Sequence, residues 1–337
     1  ILGPLNRINK TLDRMLDNER LLSSIENYLA QRELPSEPER LYAPIGYSLA
    51  GGGKRLRPML LMLACGIFTD DTAPAMPAAA AVEVFHNFTL LHDDIMDNAA
   101  LRRGKPSVHA KWGRNVAILS GDAMLICAYR LLAEVPAPVL PRILSTFNDM
   151  AIGVCEGQQY DMDFEERQKV TVVEYMRMIE LKTSVLLGGA VTIGAILGGA
   201  GGADCRTLRR FAVELGLAFQ LQDDLLDSYG DERLGKPIGG DILEGKKSYL
   251  TITAMSRATE EDRDILRSAY KDPALSDAQK IAAVKAVYDK YDIPRLVEQQ
   301  ISLKFERALG LLDTLDVERR RTERMREYAA GLMGRTK

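Results

Sequence analysis

The sequence reads LLHDDIMD at residues 90–97 and QLQDDLLD at residues 220–227. Each copy follows an apolar run with helical periodicity and carries three aspartates spaced i, i+1 and i+4. On a helix, residues i and i+4 share one face, so each copy presents two carboxylates in one direction. A single copy is more often a solvated acidic turn. Two copies predict a pair of helices whose carboxylates bind a hard divalent cation that also binds phosphates.

The rest of the chain has the same helical character. Apolar residues recur at helical spacing almost throughout, and strands with period-two alternation between turn signals are not found. The predicted fold class is therefore all-α. The chain has 337 residues, of which 46% are hydrophobic, and no linker of low complexity divides it. We expect one domain over residues 1–337.

Composition argues against several classes of function. The formal net charge is −3, so nucleic acid is not an expected partner. The three histidines, His86, His92 and His109, are too few for a histidine-rich metal site. The four cysteines show no CxxC spacing, and we interpret them as free thiols in a reducing cytoplasm: Cys65, Cys127, Cys155 and Cys205.

The segment at residues 184–203 carries no charge and is long enough to cross a bilayer. Lys182 lies just before it, and glycines interrupt it, among them Gly188, Gly189, Gly194, Gly198 and Gly199. Small residues allow close packing between helices, which favours the centre of a helical bundle. We therefore expect a buried helix here and no membrane span.

Basic residues lie in loops near both aspartate clusters. GGGKRLRP at residues 51–58 lets the backbone approach an anion and supplies three cations within four residues. LRRGKP at residues 101–106 follows the first cluster, and lysines at positions 236 and 246 follow the second. Taken alone, each is compatible with an ordinary solvated loop. Together with two carboxylate pairs they suit two diphosphates, and two anion sites imply two substrates.

The sequence resembles the trans-isoprenyl diphosphate synthases, also called polyprenyl synthetases. The resemblance covers nearly the whole chain and follows the family motifs in order: GKRLRP at 53–58, DDIMD at 93–97 with RRG at 102–104, GQ at 157–158 with Asp161, KT at 182–183, FQLQDD at 219–224 with Asp227, and Lys236 with Asp241 and Lys246. It implies a bundle of long helices around a deep central cavity, usually as a homodimer, with the two aspartate clusters facing across the cavity mouth.

The resemblance also implies roles for individual residues. Three Mg²⁺ ions would be held by the aspartates of the two clusters, Asp93, Asp94, Asp97, Asp223, Asp224 and Asp227. An allylic diphosphate would be bound by Arg102, Lys182, Lys236 and Lys246. Isopentenyl diphosphate would be bound by Lys54, Arg57, His86 and Arg103. The allylic C–O bond would break to a carbocation, stabilised by Thr183, Gln220 and the backbone carbonyl of Lys182.

His86 also ends an ExxH pattern that begins at Glu83, and such patterns occur in di-iron helical bundles. Those bundles need two copies, whereas this chain has one. His86 lies seven residues before Asp93, which is about two helical turns and therefore on the same face. This position favours the substrate site.

Product length is predicted from the helix before the first cluster. Phe85 and Phe88 lie eight and five residues before Asp93, about 12 Å and 7.5 Å by helical rise. Both rings are also compatible with ordinary core packing. An aromatic at the Phe88 position is typical of short-chain members of the family, and Thr89 leaves more room than a second aromatic. The resemblance therefore implies C15 to C20 products, farnesyl or geranylgeranyl diphosphate.

Two rival interpretations use the same aspartates. A terpene cyclase or head-to-head synthase also ionises diphosphates, but it needs no isopentenyl site, so Lys54, Arg57 and Arg103 argue against it. A non-catalytic synthase subunit tends to lose the aspartates, and all six are present here. We expect a magnesium-dependent prenyltransferase.

Overall fold

The computed structural model describes residues 18–230 and 238–334, and these residues are mostly helical. The first half contains α1 (residues 18–30), α2 (Glu39–Leu49), α3 (Leu56–Phe68), α4 (Met76–Met96), α5 (Val108–Trp112), α6 (Arg114–Leu132) and α7 (Leu140–Glu166). The second half contains α8 (Val172–Ile179), α9 (Val185–Leu197), α10 (Gly202–Tyr229), α11 (Gly240–Leu243), α12 (Tyr249–Arg257), α13 (Glu260–Ser268), α14 (Asp277–Lys290), α15 (Ile293–Leu312) and α16 (Arg319–Met333). The all-α prediction is confirmed.

The basic segment after the first aspartate cluster is a small β-hairpin rather than an irregular loop. Strand β1 (Leu101–Arg102) pairs antiparallel with β2 (Lys105–Pro106). Arg103 and Gly104 form the turn with φ of 54° and 74°. Two consecutive residues with positive φ are what a tight two-residue hairpin turn requires. The strands are too short for sequence periodicity to reveal them.

The chain forms two compact units, and the first contains residues 18–147 and 190–205. Its centre is α4, which packs along α6 and against α3. The alanine run of α4, residues 78–81, is buried, and its small side chains let neighbouring helices approach closely. Gly194 of α9 packs on α3, where a Cβ would lie 2.9 Å from the carbonyl carbon of Leu61. The predicted buried, glycine-rich helix is confirmed.

The second unit contains residues 148–189, 206–230 and 238–334. Its apolar core joins α8, α10, α12, α14 and α15, with Tyr288 and Leu250 among the most deeply buried side chains. Helix α8 begins with a capping box in which the Thr171 side chain accepts from the Glu174 N–H and Glu174 binds back to Thr171. The expectation of a single domain over the whole chain stays a prediction.

Two helical segments of the described chain are long and apolar enough to cross a membrane, by length and composition alone. In Val172–Leu197, 83% of the most apolar stretch is buried inside the protein, which is typical of a core helix. In Arg114–Leu132, only 39% is buried. The absence of a membrane span therefore stays a prediction, and α6 has an exposed apolar face that needs an explanation.

Candidate active site

The first aspartate cluster lies at the C-terminal end of α4. Asp93 is half-buried, and Asp97 is the exposed C-cap whose N–H donates to the Asp93 carbonyl at 2.9 Å. One helical turn separates the two residues, so their side chains leave the same face of α4, as the spacing predicts. They supply the hard oxygen ligands that Mg²⁺ prefers.

Asp94 faces a different environment from its two neighbours. It is only 3% exposed, and its Oδ1 accepts hydrogen bonds from Arg102 Nε at 2.8 Å and Nη2 at 2.5 Å. Burial raises the pKa of Asp94, and the Arg102 guanidinium lowers it. Arg102 Nη2 also lies 3.4 Å from Asp93 Oδ2. Asp94 therefore holds Arg102 beside the first cluster.

The second cluster ends α10, and its middle aspartate is also enclosed. Asp224 is 4% exposed and accepts from the Tyr175 hydroxyl at 2.5 Å, Gln220 Nε2 at 3.1 Å and the Tyr249 N–H at 3.3 Å. Burial raises the pKa of Asp224 to about 6, although the three hydrogen bonds lower it. In each cluster, the middle carboxylate thus orients protein groups around the flanking pair.

Asp227 is joined to the segment that follows α10. Its Oδ2 accepts from the Asp241 N–H at 3.0 Å, and Lys246 Nζ lies 3.7 Å from Asp241 Oδ1. Burial and the charge of Asp227 raise the pKa of Asp241 to about 7, and Lys246 lowers it. Lys246 therefore lies near the second cluster. The other lysine predicted here, Lys236, lies outside the described residues.

Lys182 and Thr183 occupy a single π-helical turn, Glu180–Ser184, between α8 and α9. Lys182 Nζ lies 2.6 Å from Asp161 Oδ2, and the Thr183 hydroxyl donates to Gln220 Oε1 at 3.1 Å. Gln220 in turn donates to Asp224. Thr183 and Gln220, which the family resemblance assigns to stabilising the carbocation, are therefore linked to the second cluster by hydrogen bonds. Such π turns are frequent at functional sites.

Gly157 of α7 packs on this π-helical turn. A Cβ at Gly157 would lie 2.6 Å from both the Leu181 carbonyl carbon and the Lys182 Cα, which no side chain can do. A glycine in the middle of a helix costs about 1 kcal/mol relative to alanine, and this close contact explains why one stands here. The glycine allows α7 to approach the backbone that carries Lys182 and Thr183.

The residues predicted for isopentenyl diphosphate come together in the first unit. Arg57 Nη1 lies 3.0 Å from His86 Nε2, and because a guanidinium only donates, the imidazole nitrogen accepts. Burial holds the pKa of His86 well below its usual range, and Arg57 and Arg103 lower it further. Burial also lowers the pKa of Arg57 to about 10. Lys54 is exposed in the preceding loop.

Arg103 joins the hairpin to the glycine loop. Its Nη1 donates to the Gly52 carbonyl, and the guanidinium lies against Gly53, where φ is 130°. A Cβ at Gly53 would come within 2.8 Å of the guanidinium nitrogens. Glycine is required there both by its backbone conformation and by the close approach of Arg103.

The predicted chain-length residues differ in burial. Phe85 is buried, and its ring packs 5.2 Å from the ring of Phe147. Phe88 is half-buried and packs against Phe85 at 5.6 Å and His92 at 4.7 Å. The Thr89 hydroxyl donates to the carbonyl of His86 within α4 at 2.8 Å. Phe88 is thus the more accessible ring.

A metal ion at this site would need ligands in addition to the protein side chains. In residues 18–230 and 238–334, no group of three His, Cys, Asp or Glu side chains is close enough to enclose a metal ion. Mg²⁺ commonly binds through one or two carboxylates and completes its octahedron with water and substrate phosphates. The i, i+4 aspartate pairs fit that type of site.

Sequence reasoning missed two groups of residues. Tyr175 binds Asp224 from α8, 49 positions away along the chain, and nothing in the local pattern indicates this contact. Arg55 and Glu83 form an ion pair beside the residues predicted to bind isopentenyl diphosphate, with Arg55 Nη1 2.7 Å from Glu83 Oε1. The i, i+4 spacing of Glu83 and Asn87 was a signal for part of that second group.

Comparison with known proteins identifies the family of the chain. The polyprenyl synthetase family model matches residues 38–290. The chain belongs to the polyprenyl synthetase family. The predicted family and enzyme class are therefore confirmed, and this polyprenyl synthetase is a prenyltransferase.

Similar proteins carry one recurrent name. The geranylgeranyl diphosphate synthase of Methanosarcina mazei is 44% identical over 231 residues, which is 67% of this chain and 71% of that protein. The geranylgeranyl diphosphate synthase of Saccharolobus solfataricus is 40% identical over 290 residues, 80% of this chain and 87% of that protein. A crystal structure of a geranylgeranyl pyrophosphate synthase, 40% identical, superposes with a TM-score of 0.88 over 95% of this chain and 99% of that one.

Proposed function

We propose that this polyprenyl synthetase condenses isopentenyl diphosphate head to tail with an allylic diphosphate and releases geranylgeranyl diphosphate. The names of the similar proteins support the C20 end of the expected C15 to C20 range. The observation that carries the proposal is the arrangement on α4. His86, in contact with Arg57, and the Asp93–Asp97 pair lie on one helix, about 10 Å apart by helical rise.

This arrangement favours condensation over the rival reactions. A terpene cyclase or a head-to-head synthase ionises a diphosphate at the aspartates but has no use for an isopentenyl site. Arg57, in contact with His86, and the neighbouring Arg103 provide positive charge away from the aspartates, which suits a second diphosphate. A non-catalytic subunit would have no need of all six aspartates.

The aspartates would hold the divalent metal ions. We assign Mg²⁺ to the outer carboxylates of each cluster, Asp93 and Asp97 on α4 and Asp223 and Asp227 on α10, with three ions as the family resemblance implies. When bound, Mg²⁺ neutralises the negative charge of the leaving diphosphate. Asp94 and Asp224 would orient side chains beside each cluster, because Asp94 accepts from Arg102 and Asp224 accepts from Gln220.

The chain's own residues guide the reaction around that leaving group. The allylic C–O bond breaks, and the diphosphate departs with the electron pair. The oxygens of Thr183, Gln220 and the Lys182 carbonyl face the allylic cation and stabilise it. The double bond of isopentenyl diphosphate then forms the new C–C bond, and the proton lost from its C2 moves to an oxygen of the released diphosphate. Arg102, Lys182, Lys236 and Lys246 bind that diphosphate.

A homodimer is part of the same proposal. The outer face of α6 exposes Ile118, Leu119 and Ile126, of which the last two are each 60% exposed. Exposed apolar stripes of this kind mark protein contacts. We assign this face to a second copy of the chain. A cytoplasmic location, expected from the free thiols, stays a prediction.

The reaction is tested by supplying labelled isopentenyl diphosphate, Mg²⁺ and either dimethylallyl, geranyl or farnesyl diphosphate. Geranylgeranyl diphosphate is the expected product from all three primers, measured by chromatography after dephosphorylation. Omitting the primer should abolish product. Products that stop at C15, or cyclised hydrocarbons, would contradict the proposal.

The metal assignment is tested separately with Asp93→Ala. Loss of a metal ligand should lower kcat by roughly 100- to 1,000-fold while the fold survives, because one of two repelling carboxylates is gone. Asp264→Ala is the matched control, since that exposed carboxylate pairs only with Arg267 on α13 among the contacts that the structure resolves. Near wild-type turnover of folded Asp93→Ala would refute the assignment.

A further inference from the structure

A buried charge network lies beneath the basic loop of the first unit. Arg55 is 7% exposed and Glu83 is 2% exposed, and Arg55 Nη1 donates to Glu83 Oε1 at 2.7 Å. Asn87, one turn further along α4, donates to the same Oε1 at 3.1 Å and to the Glu83 carbonyl at 2.8 Å. Neither Arg55 nor Glu83 has a role among the predicted substrate contacts.

The network joins three helices through one side chain. Arg55 is the N-cap of α3 and has a left-handed backbone with φ of 45°. Its Nη2 donates to the carbonyl of Leu49, the last residue of α2, at 2.7 Å. Its Nη1 reaches Glu83 in the middle of α4. Arg55 therefore connects both ends of the glycine loop to α4, and an uncommon backbone conformation is maintained by these bonds.

The loop that this network holds carries Lys54, and Arg57 lies directly after it in the first turn of α3. Arg55 separates them, and because its side chain turns inward to Glu83, it does not compete for a ligand at the loop surface. On α4, Glu83 lies one turn before His86, which accepts from Arg57 at 3.0 Å. Helix α4 thus holds the loop through the contact of Glu83 with Arg55, and it also contacts Arg57 through His86.

The charge of Glu83 acts on the neighbouring arginines as well. It raises the pKa values of Arg57 and Arg103, which burial lowers. The carboxylate therefore offsets the repulsion between Arg55, Arg57 and Arg103 before a diphosphate arrives. Since Glu83 is almost inaccessible, it cannot contact the substrate itself.

We propose that Glu83 is a positioning residue for isopentenyl diphosphate: through Arg55 it holds the glycine loop and the start of α3, residues 51–57, so that Lys54 and Arg57 meet the diphosphate beside His86. The inference rests on the proposed function, because it concerns the second of its two anion sites. It predicts that the network affects isopentenyl diphosphate and leaves the allylic substrate unaffected, since the aspartates of α4 begin ten residues after Glu83.

Glu83→Gln tests the proposal, because the amide keeps the size and one acceptor oxygen but loses the charge. We expect the KM for isopentenyl diphosphate to rise about tenfold, which corresponds to about 1.4 kcal/mol. The KM for farnesyl diphosphate and kcat should change less than about twofold. A purely electrostatic role predicts the opposite sign, because removing a carboxylate from a cationic cluster strengthens its attraction for a diphosphate.

Controls separate positioning from a general loss of stability. Glu134→Gln breaks the exposed pair with Arg32 in the same unit and should leave both KM values unchanged. The double variant Arg55→Gln with Glu83→Gln removes both charges and restores an amide pair. We expect its KM for isopentenyl diphosphate to lie between the values of Arg55→Gln and wild type, because the effects of coupled residues are not additive. Thermal melting of every variant fixes an assay temperature at which all are folded.

Three outcomes are distinguishable. Wild-type protein that turns over no isopentenyl diphosphate refutes the proposed function. An active wild type with an unchanged or lowered isopentenyl KM in Glu83→Gln, or equal rises in both KM values, overturns the role of Glu83 alone. If Glu83→Gln does not fold, Asn87→Ala replaces it, because it removes one donor to the same carboxylate oxygen and keeps the ion pair. A rise of about threefold in the isopentenyl KM alone is then expected.

Discussion

His86, which we propose binds isopentenyl diphosphate, is held in its neutral form by its surroundings. Its Nε2 accepts from Arg57, so the imidazole is neutral in the folded protein. Burial and the arginines hold its pKa well below the usual range. The unfolded chain takes up a proton near pH 6.5, whereas the folded chain does not. The stability that neutral His86 contributes is therefore present above pH 6.5 and is lost as the pH falls below it.

A comparison of wild type with His86→Gln measures this effect. Between pH 7.5 and pH 5.5 the free energy of unfolding of wild type should fall by about 1 kcal/mol more than that of the variant, because only wild type has an imidazole at position 86 to protonate on unfolding. Urea titrations at the two pH values provide the numbers. Other groups that titrate cancel in the comparison. Equal losses in both proteins would show that His86 is protonated in the folded state.

Phe88 is the residue at which product length is tested. Phe88→Ala should lengthen the product by at least one isoprene unit, because loss of the half-buried ring leaves a space that the growing chain can occupy. Phe85→Leu is the matched control on the same helix. Since Phe85 packs on Phe147 in the core, we expect lower stability and an unchanged product. Chromatography of dephosphorylated products decides, and an unchanged length in active Phe88→Ala would place the limit elsewhere.

The π-helical turn at Glu180–Ser184 depends on helix α7, which packs against it. Its backbone lies directly against Gly157 of α7. Gly157→Ala should therefore displace Lys182 and Thr183, lower kcat by at least about tenfold and destabilise the protein by about 1–3 kcal/mol.

Gly153→Ala is the control for this prediction, because it lies one turn earlier on the same helix. There the nearest atom to a new Cβ is Val185 Cγ2 at 3.2 Å, a side-chain methyl that needs to shift only slightly. Its kcat should stay within about twofold of wild type, while helix propensity gains from alanine. Melting curves and steady-state rates compare the two variants. Similar effects of both variants would show that the contact between Gly157 and the π-helical turn does not position Lys182 and Thr183.

For the whole molecule, the exposed apolar face of α6 predicts self-association. Leu119→Asp should convert the proposed dimer into a monomer, because a carboxylate would be buried without a partner in the interface. Ile265→Asp on α13 is the control, since Ile265 is an apolar residue of the second unit that is 38% exposed and does not belong to the stripe on α6. Light scattering coupled to gel filtration measures the mass. A wild-type monomer, or a dimer that survives Leu119→Asp, would contradict the assignment.

The sequence by itself determined the helical class, the family and the positions of the six aspartates. Helical periodicity relates residues three or four positions apart, so the spacing of Asp93 and Asp97 places both on one face wherever the helix lies. The glycines of residues 184–203, Gly194 among them, signalled close packing, because small residues let helices approach each other.

Tertiary structure alone decided which partners those residues have. Asp94 binds Arg102 and Asp224 binds Tyr175, although the aspartate pattern treats all three members of a cluster alike. Arg55 meets Glu83 across 28 positions of chain, and the π-helical turn forms against Gly157. Such contacts depend on how helices pack, and local spacing has no information about packing between distant segments. The supporting residues of the site were therefore visible only in the folded chain.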